Sequence, residues 1–276
     1  MDCVLFQIDK NLYLGYKLTL KTMDFFKSHT LVTLTADEAG IATMQMKDVK
    51  GKNGLTPHFI EELIACITEV KNNETFKVLI MMGTPDVFNS GADLDTLVKL
   101  CKKEIKPVDI ILSKMMLDIP IPVIAAMEGH AIGGGLALGL CADIAILAEE
   151  SRYGCSFMNM GFTPGMGITK LMEHYMSPAI AQEMQYTGMF YQGRHLIGKT
   201  NFNYILPKAD VLDKAQQLAE AMADKPRKAL SVLKRYQSMT RRKTFEETYS
   251  IETMMHELTF DQTEILKTIQ ENYVKY

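Results

Sequence analysis

IPVIAAMEGHAIGGGLALGLCADIAIL, residues 121–147, holds two short apolar runs on either side of a segment of small residues. VIAAMEG reads as a buried strand, entered after Pro120 and Pro122, whose missing N–H groups end any helix before them. GGGLALGLCAD reads as a helix narrow enough to pack closely, and DIAILAE as the next strand. Apolar strands joined by a helix call for a right-handed crossover within a parallel sheet. Gly133, Gly134 and Gly135 lie where strand gives way to helix. Unpaired N–H groups and partial positive charge collect at such a point, and glycine lets a ligand come close to them. Glycines there serve equally well for tight strand–helix packing, so the run alone does not define a site.

Upstream the same pattern recurs. FKVLIMMG, residues 76–83, is a short buried strand, and DVFNSGADL, residues 86–94, is the loop that follows it and leads into a helix. The N–H of Ala92 in that loop can point into the crevice at the carboxyl ends of parallel strands, where the glycine run also lies. Asp93 fits the N-cap of the next helix, and residues 94–118 are mostly helical in pattern. Earlier still, HTLVTLTADEAGIATMQMKD, residues 29–48, alternates as two strands joined around Asp37 to Gly40. TPHFIEELIACITEV, residues 56–70, has helical spacing behind a Thr56 cap with Pro57 at its first position. From about Thr169 onward helix predominates. The expected organisation is an N-terminal extension over 1–28, an α/β core over 29–200 and a C-terminal helical region over 201–276.

The 276 residues, 47% hydrophobic and 23% charged, are enough for a substantial core. A formal net charge of −3 gives no electrostatic drive toward nucleic acid or anionic membrane. Five scattered cysteines, Cys3, Cys66, Cys101, Cys141 and Cys155, lack paired spacing and read as free thiols. Asp9, Lys10 and Lys17 break up the apolar residues of the N-terminus, so no signal peptide is expected. The apolar stretch near 119–148 carries Glu128, His130 and Asp143 and does not read as a membrane span. The expected location is the cytoplasm, with no metal and no cofactor.

FNSGADL, then IPVIAAMEGHAIGGGLALGLCADIAIL, then MGFTPGMG at residues 160–167, resembles the crotonase, or enoyl-CoA hydratase/isomerase, superfamily over about residues 30–270. That resemblance implies an α/β fold of the crotonase type, a ββα spiral with a C-terminal helical trimerisation region, assembled as a homotrimer or dimer of trimers. It also implies an oxyanion hole made by the N–H groups of Ala92 and Gly134 around a thioester carbonyl, with Gly133 beside the substrate.

Hydratases of this family resemble one another in carrying two glutamates that activate water. The matching positions here are Ala137 and Phe157, and neither side chain accepts a proton. Adding water to an enoyl thioester needs a positioned base and acid, so hydration is disfavoured. Loss of CO₂ leaves its electron pair behind and needs only an electron sink and an acid; one oxyanion donor is typically worth about 2.7–4 kcal/mol. An apolar lining at Phe157, Met158 and Met160 would favour neutral CO₂ over a solvated carboxylate.

FMNMGFTPGMGITKLMEHYMSPAIAQEMQYTG, residues 157–188, and MMHELTFDQTEI, residues 254–265, are similar to the decarboxylating crotonase homologues of polyketide β-branching cassettes. These act on an acyl-thioester substrate held by an acyl carrier protein, turning 3-methylglutaconyl into 3-methylcrotonyl. The resemblance puts His256, in the H-x-x-T-F element, at the active site, either pairing with the substrate carboxylate or delivering a proton. Some members also carry a tyrosine and a lysine where this chain has Thr96 and Leu100, and Lys99, Lys102 or Lys103 could replace that lysine from the same helix. The basic run Lys225, Arg227, Lys228, Lys234, Arg235, Arg241, Arg242 and Lys243 could dock an acidic carrier or form an ordinary exposed helix face. Twenty methionines suggest adaptable packing around a pocket or between subunits. Two rival readings stay open: an enoyl-thioester isomerase of the same fold, and a non-catalytic scaffold subunit.

Overall fold

A computed structural model describes residues 29–105, 109–261 and 264–273. The expected N-terminal extension, 1–28, lies outside the described residues. In chain order the elements are β1 (Val32–Ala36), β2 (Ile41–Met46), α1 (Pro57–Asn72), β3 (Val78–Met82), β4 (Val87–Asn89), α2 (Leu94–Cys101), α3 (Asp109–Leu117), β5 (Val123–Met127), β6 (His130–Ile132), α4 (Gly134–Leu140), β7 (Ile144–Ala148) and β8 (Arg152–Gly154). A 3-10 turn at Phe157–Met160 follows, then α5 (Ile168–Leu171), α6 (Pro178–Thr187), β9 (Phe190–Gln192), β10 (Tyr204–Leu206), α7 (Val211–Ala223), α8 (Arg227–Gln237), α9 (Met239–Phe260) and α10 (Ile265–Asn272).

Two sheets run through the core. The larger has the order β1-β2-β3-β5-β7-β10, parallel after the opening β1–β2 hairpin, and the smaller has the order β4-β6-β8-β9. Successive turns of chain thus place one strand in each sheet and then a helix, the ββα spiral of the crotonase type.

Alternation along buried strands makes two cores. Leu79, Met81, Val123, Ala125, Met127, Ala145 and Leu147 point into the main core with α1 and α4. Val78, Ile80, Ile124, Ala126, Ile146 and Ala148 point the other way, onto Ala215, Ala219 and Ala223 of α7. That pairing corrects the expected boundary at residue 200. β10 joins the larger sheet beside β7, and α7 covers its face, so residues 204–223 belong to the α/β core and the separate helical layer starts with α8.

Local signals behave as the sequence indicates. The Thr56 side chain accepts from the Phe59 N–H at 3.2 Å, Pro57 sits at the start of α1, and the buried carboxylate of Glu62 accepts the N–H groups of Thr30, Leu31 and Val32. The strand VIAAMEG is shorter than expected: β5 ends at Met127, β6 is a separate strand of the second sheet, and α4 begins at Gly134, inside the glycine run.

The helical layer is tied to the core by Asp143, at the entrance to β7. Its carboxylate accepts from the Val123 N–H at 2.8 Å and pairs with Lys234 of α8 and Arg241 of α9. Lys234 is 2% exposed and its pKa is lowered by burial, which the adjoining carboxylate opposes.

Candidate active site

The first loop runs from β4 to α2. Gly91 adopts a positive φ of 76°, its N–H donates to Asn89 Oδ1 at 2.9 Å, and its carbonyl accepts from the Leu55 N–H at 2.8 Å. Asn53, fully buried, donates to the Val87 and Phe88 carbonyls and fixes the strand from which the loop springs. Asp93 then caps α2 by accepting from the Thr96 N–H at 2.9 Å. These contacts settle Asp93 as a cap and leave Ala92 facing a cavity.

The second loop joins β6 to α4. Gly133 has φ 54° and ψ −120°, a backbone state closed to side chains, and its N–H donates to the Gly154 carbonyl at 2.8 Å. Gly133 therefore lines the cavity with an amide already spent on β8. Gly134, next along, opens α4. A Cβ on Gly91 would stand 3.2 Å from the Gly134 nitrogen, and one on Gly135 would stand 2.1 Å from the Asn89 carbonyl oxygen, so only residues without side chains let the loops meet. Among the described residues, neither the Ala92 nor the Gly134 N–H donates to a protein acceptor.

One cavity is lined by Ala92 and Gly134 together with Ser90, Gly91, Gly133, Ser156 and Ile132. Its apolar wall is Leu97 of α2, Phe157, Met160 and Phe162, with Phe157 edge-on to Phe162 at 5.8 Å between ring centres. Asn272 and Tyr273, at the end of α10, complete the lining. Ala137 is fully buried in the main core, and Phe157 forms part of the wall.

Other residues expected near the substrate lie elsewhere. Met158 is 40% exposed and not in the lining, because a 3-10 helix repeats every three residues, which returns Phe157 and Met160 to one face and turns Met158 away. Lys99 lies two residues past the inward-facing Leu97, on the far side of α2, where it pairs with Asp95; Lys102 caps the exposed end of that helix. Neither lysine lines the cavity. Thr96 is buried, and Leu100 packs with Leu97 and Ile269.

His256, on α9, is also outside the lining. Its Nε2 is 2.7 Å from the Thr163 carbonyl oxygen, and since a carbonyl only accepts, Nε2 carries the proton. The ring meets Phe162 edge-on at 6.2 Å and Phe260 at 5.5 Å. It also rests against the Pro164-Gly165 turn, where a Cβ on Gly165 would stand 2.4 Å from Cε1. Phe162 is thus shared, one side to the cavity and the other to His256.

Tyr273 and Asn272 escape the sequence reading. The apolar pair Ile265 and Ile269, four residues apart, signals that α10 packs by one face, but not that it packs against α2 and the 3-10 turn. The basic run is partly consumed by the fold: besides Lys234 and Arg241, Arg227 donates to the Phe76 carbonyl at 2.8 Å, while Lys225, Lys228, Arg235 and Lys243 stay exposed. His130 accepts from the Arg152 N–H at Nδ1, and burial lowers its pKa. Burial pushes the Cys66 thiol up to about 12 and Cys141 to about 11, and raises Cys155 further, so none is a ready thiolate.

A family profile described as Enoyl-CoA hydratase/isomerase matches residues 36–275. The bacillaene synthase decarboxylase PksI of Bacillus subtilis (strain 168) is 37% identical over 246 residues, 89% of this chain and 99% of that protein. The solved ECH2 decarboxylase domain of CurF from Lyngbya majuscula superposes with a TM-score of 0.83 at 38% identity, over 88% of this chain and 99% of that one. A solved protein described under a dehydratase/decarboxylase enzyme couple involved in polyketide beta-branching gives a TM-score of 0.85 at 36% identity, over 89% and 100%.

Proposed function

This chain belongs to the enoyl-CoA hydratase/isomerase family, and from that premise we propose that it is a decarboxylase of polyketide β-branching, acting on an acyl thioester through an oxyanion-stabilised dienolate. The observation that carries the reading is the cavity itself: two main-chain N–H groups without protein acceptors, and an aromatic and a core alanine at the positions where hydratases of the family resemble one another in carrying carboxylates. The likeness to PksI and to the CurF domain, both decarboxylases, supports it.

The substrate is 3-methylglutaconyl, or a related β-branched acyl group, on the phosphopantetheine arm of an acyl carrier protein. Its thioester oxygen sits between the Ala92 and Gly134 N–H groups, and no further cofactor is required. As the bond to the carboxylate carbon breaks, its electron pair moves through the alkene onto that oxygen, where donors already in position need no rearrangement. Phe157, Met160 and Phe162 keep water from the departing carboxylate. Gly133 acts by its backbone shape, and His256 acts indirectly, holding the Pro164-Gly165 turn and the back of Phe162. Exposed Lys225, Lys228, Arg235 and Lys243 suit an acidic carrier. Exposed Ile251, Met254 and Leu258 along α9 suit contact between copies in a homotrimer or dimer of trimers.

The test is mass spectrometry of carrier-bound 3-methylglutaconyl after incubation with the enzyme. The reading expects a product lighter by one CO₂. An unchanged mass with a moved double bond would make the enzyme an isomerase, and an untouched substrate would make it a scaffold.

A further inference from the structure

Decarboxylation makes one demand that the two amides do not meet: the carbon that loses CO₂ must gain a proton. His256 is turned from that task, with its Nε2 proton engaged by the Thr163 carbonyl and Phe162 standing at the cavity wall beside it. Among the described residues, none that lines the cavity carries a carboxyl, imidazole or ammonium group. The exchangeable O–H groups of the described lining residues belong to Ser90, Ser156 and Tyr273. A phenol titrates at about 10 in a model peptide and is a far stronger acid than an alkyl alcohol.

Position favours the same residue. The Tyr273 hydroxyl lies 3.4 Å from the carbonyl oxygen of Ala92, one residue's length from the oxyanion N–H. O–H···O bonds usually measure about 2.7–2.8 Å, so the proton is held near a weak acceptor and is available to a better one. Burial raises the phenol's pKa, and the charge of Asp93 adds to the rise, which keeps the hydroxyl protonated through neutral pH. Of the neighbouring elements, α2 and its cap bring Asp93, Asp95 and Lys99, the last two paired with each other, and Cys101, whose pKa burial raises; the Phe157–Met160 turn brings no titratable group, and α10 itself carries Lys267 and Glu271.

We propose that Tyr273 is the general acid of the reaction, its phenolic proton passing to the γ-carbon from which CO₂ departs. The inference rests on the decarboxylase reading. The electron pair of the broken carbon–carbon bond waits on the thioester oxygen as a dienolate, returns to the γ-carbon and takes the Tyr273 proton. The phenolate then regains a proton from water, so each turnover consumes one proton and releases one CO₂.

Tyr273→Phe keeps the ring and removes the O–H. With the carrier-bound substrate, kcat should fall roughly 10²-fold or more while KM stays within about twofold, and the thermal midpoint should hold. In the unaltered enzyme kcat should stay level from about pH 6 to pH 9, because the acid titrates above that range. A Tyr273→Phe enzyme with undiminished kcat would overturn the proposal. So would a His256→Gln enzyme that loses kcat as fully as Tyr273→Phe while its thermal midpoint and KM hold. If the unaltered enzyme releases no CO₂, the decarboxylase reading fails first and the proposal with it, an outcome distinct from CO₂ release that is indifferent to Tyr273.

Discussion

The loops after β4 and β6 and the end of α10, the last helix of the helical layer, meet at one cavity, yet they reach it by different means. The loops offer main-chain N–H groups, held by glycines and strand ends within a few residues of each donor. The layer offers side chains whose place is set by remote packing; Tyr273 touches Ala92 across 181 residues of chain. The first region is fixed by hydrogen bonds and close backbone contacts local to each donor. The second is only as well placed as the contacts that seat it.

Asp143→Ala cuts the link between them and should have the largest effect. It leaves Lys234 and Arg241 without their carboxylate in a buried setting, which typically costs about 3–5 kcal/mol. Urea unfolding would read the loss; a midpoint like that of the unaltered chain would mean that the layer is seated by apolar contact alone. Gly134→Pro acts on the loops. Proline fits the first position of a helix, so α4 can form, but the donor is gone, with an expected loss of about 2.7–4 kcal/mol, or roughly 10²–10³-fold in kcat. Leu55 Cδ1 and Met166 Sδ, 2.9 Å from the new Cβ, are flexible ends that can shift. Full activity in a folded Gly134→Pro enzyme would remove this amide from the mechanism. Gly165→Ala probes the seam between the regions, since its methyl group would press on His256; overpacking of that kind costs about 1–3 kcal/mol. Adding His256→Ala should restore part of the loss in a double-mutant cycle, and strictly additive losses would mean that ring and turn are not coupled.

The same division governs what the sequence discloses. The hairpin, the Thr56-Pro57 start, the Asp93 cap and both loops were legible because each depends on a few adjacent residues. The second sheet was not, because β4, β6 and β8 are three residues each, too short to show alternation. Met158, Lys99 and Lys102 were assigned by nearness in sequence, whereas helical phase turns them from the cavity. The positive run read as one surface, but Asp143 and the Phe76 carbonyl draw Lys234, Arg241 and Arg227 into the fold. Tyr273 left no trace beyond an apolar pair on its helix, since what matters is which distant loop that helix meets.

An amide is common to every residue but proline, so the N–H at position 92 survives most exchanges, provided that Gly91, Gly133 and Gly135 stay bare and let the loops meet. The wall around it enjoys no such protection. On the proposed reading, an aromatic in place of a carboxylate at Phe157 leaves the backbone donors as they are and removes the group that would handle water, so one scaffold can serve two reactions by a change in its wall alone.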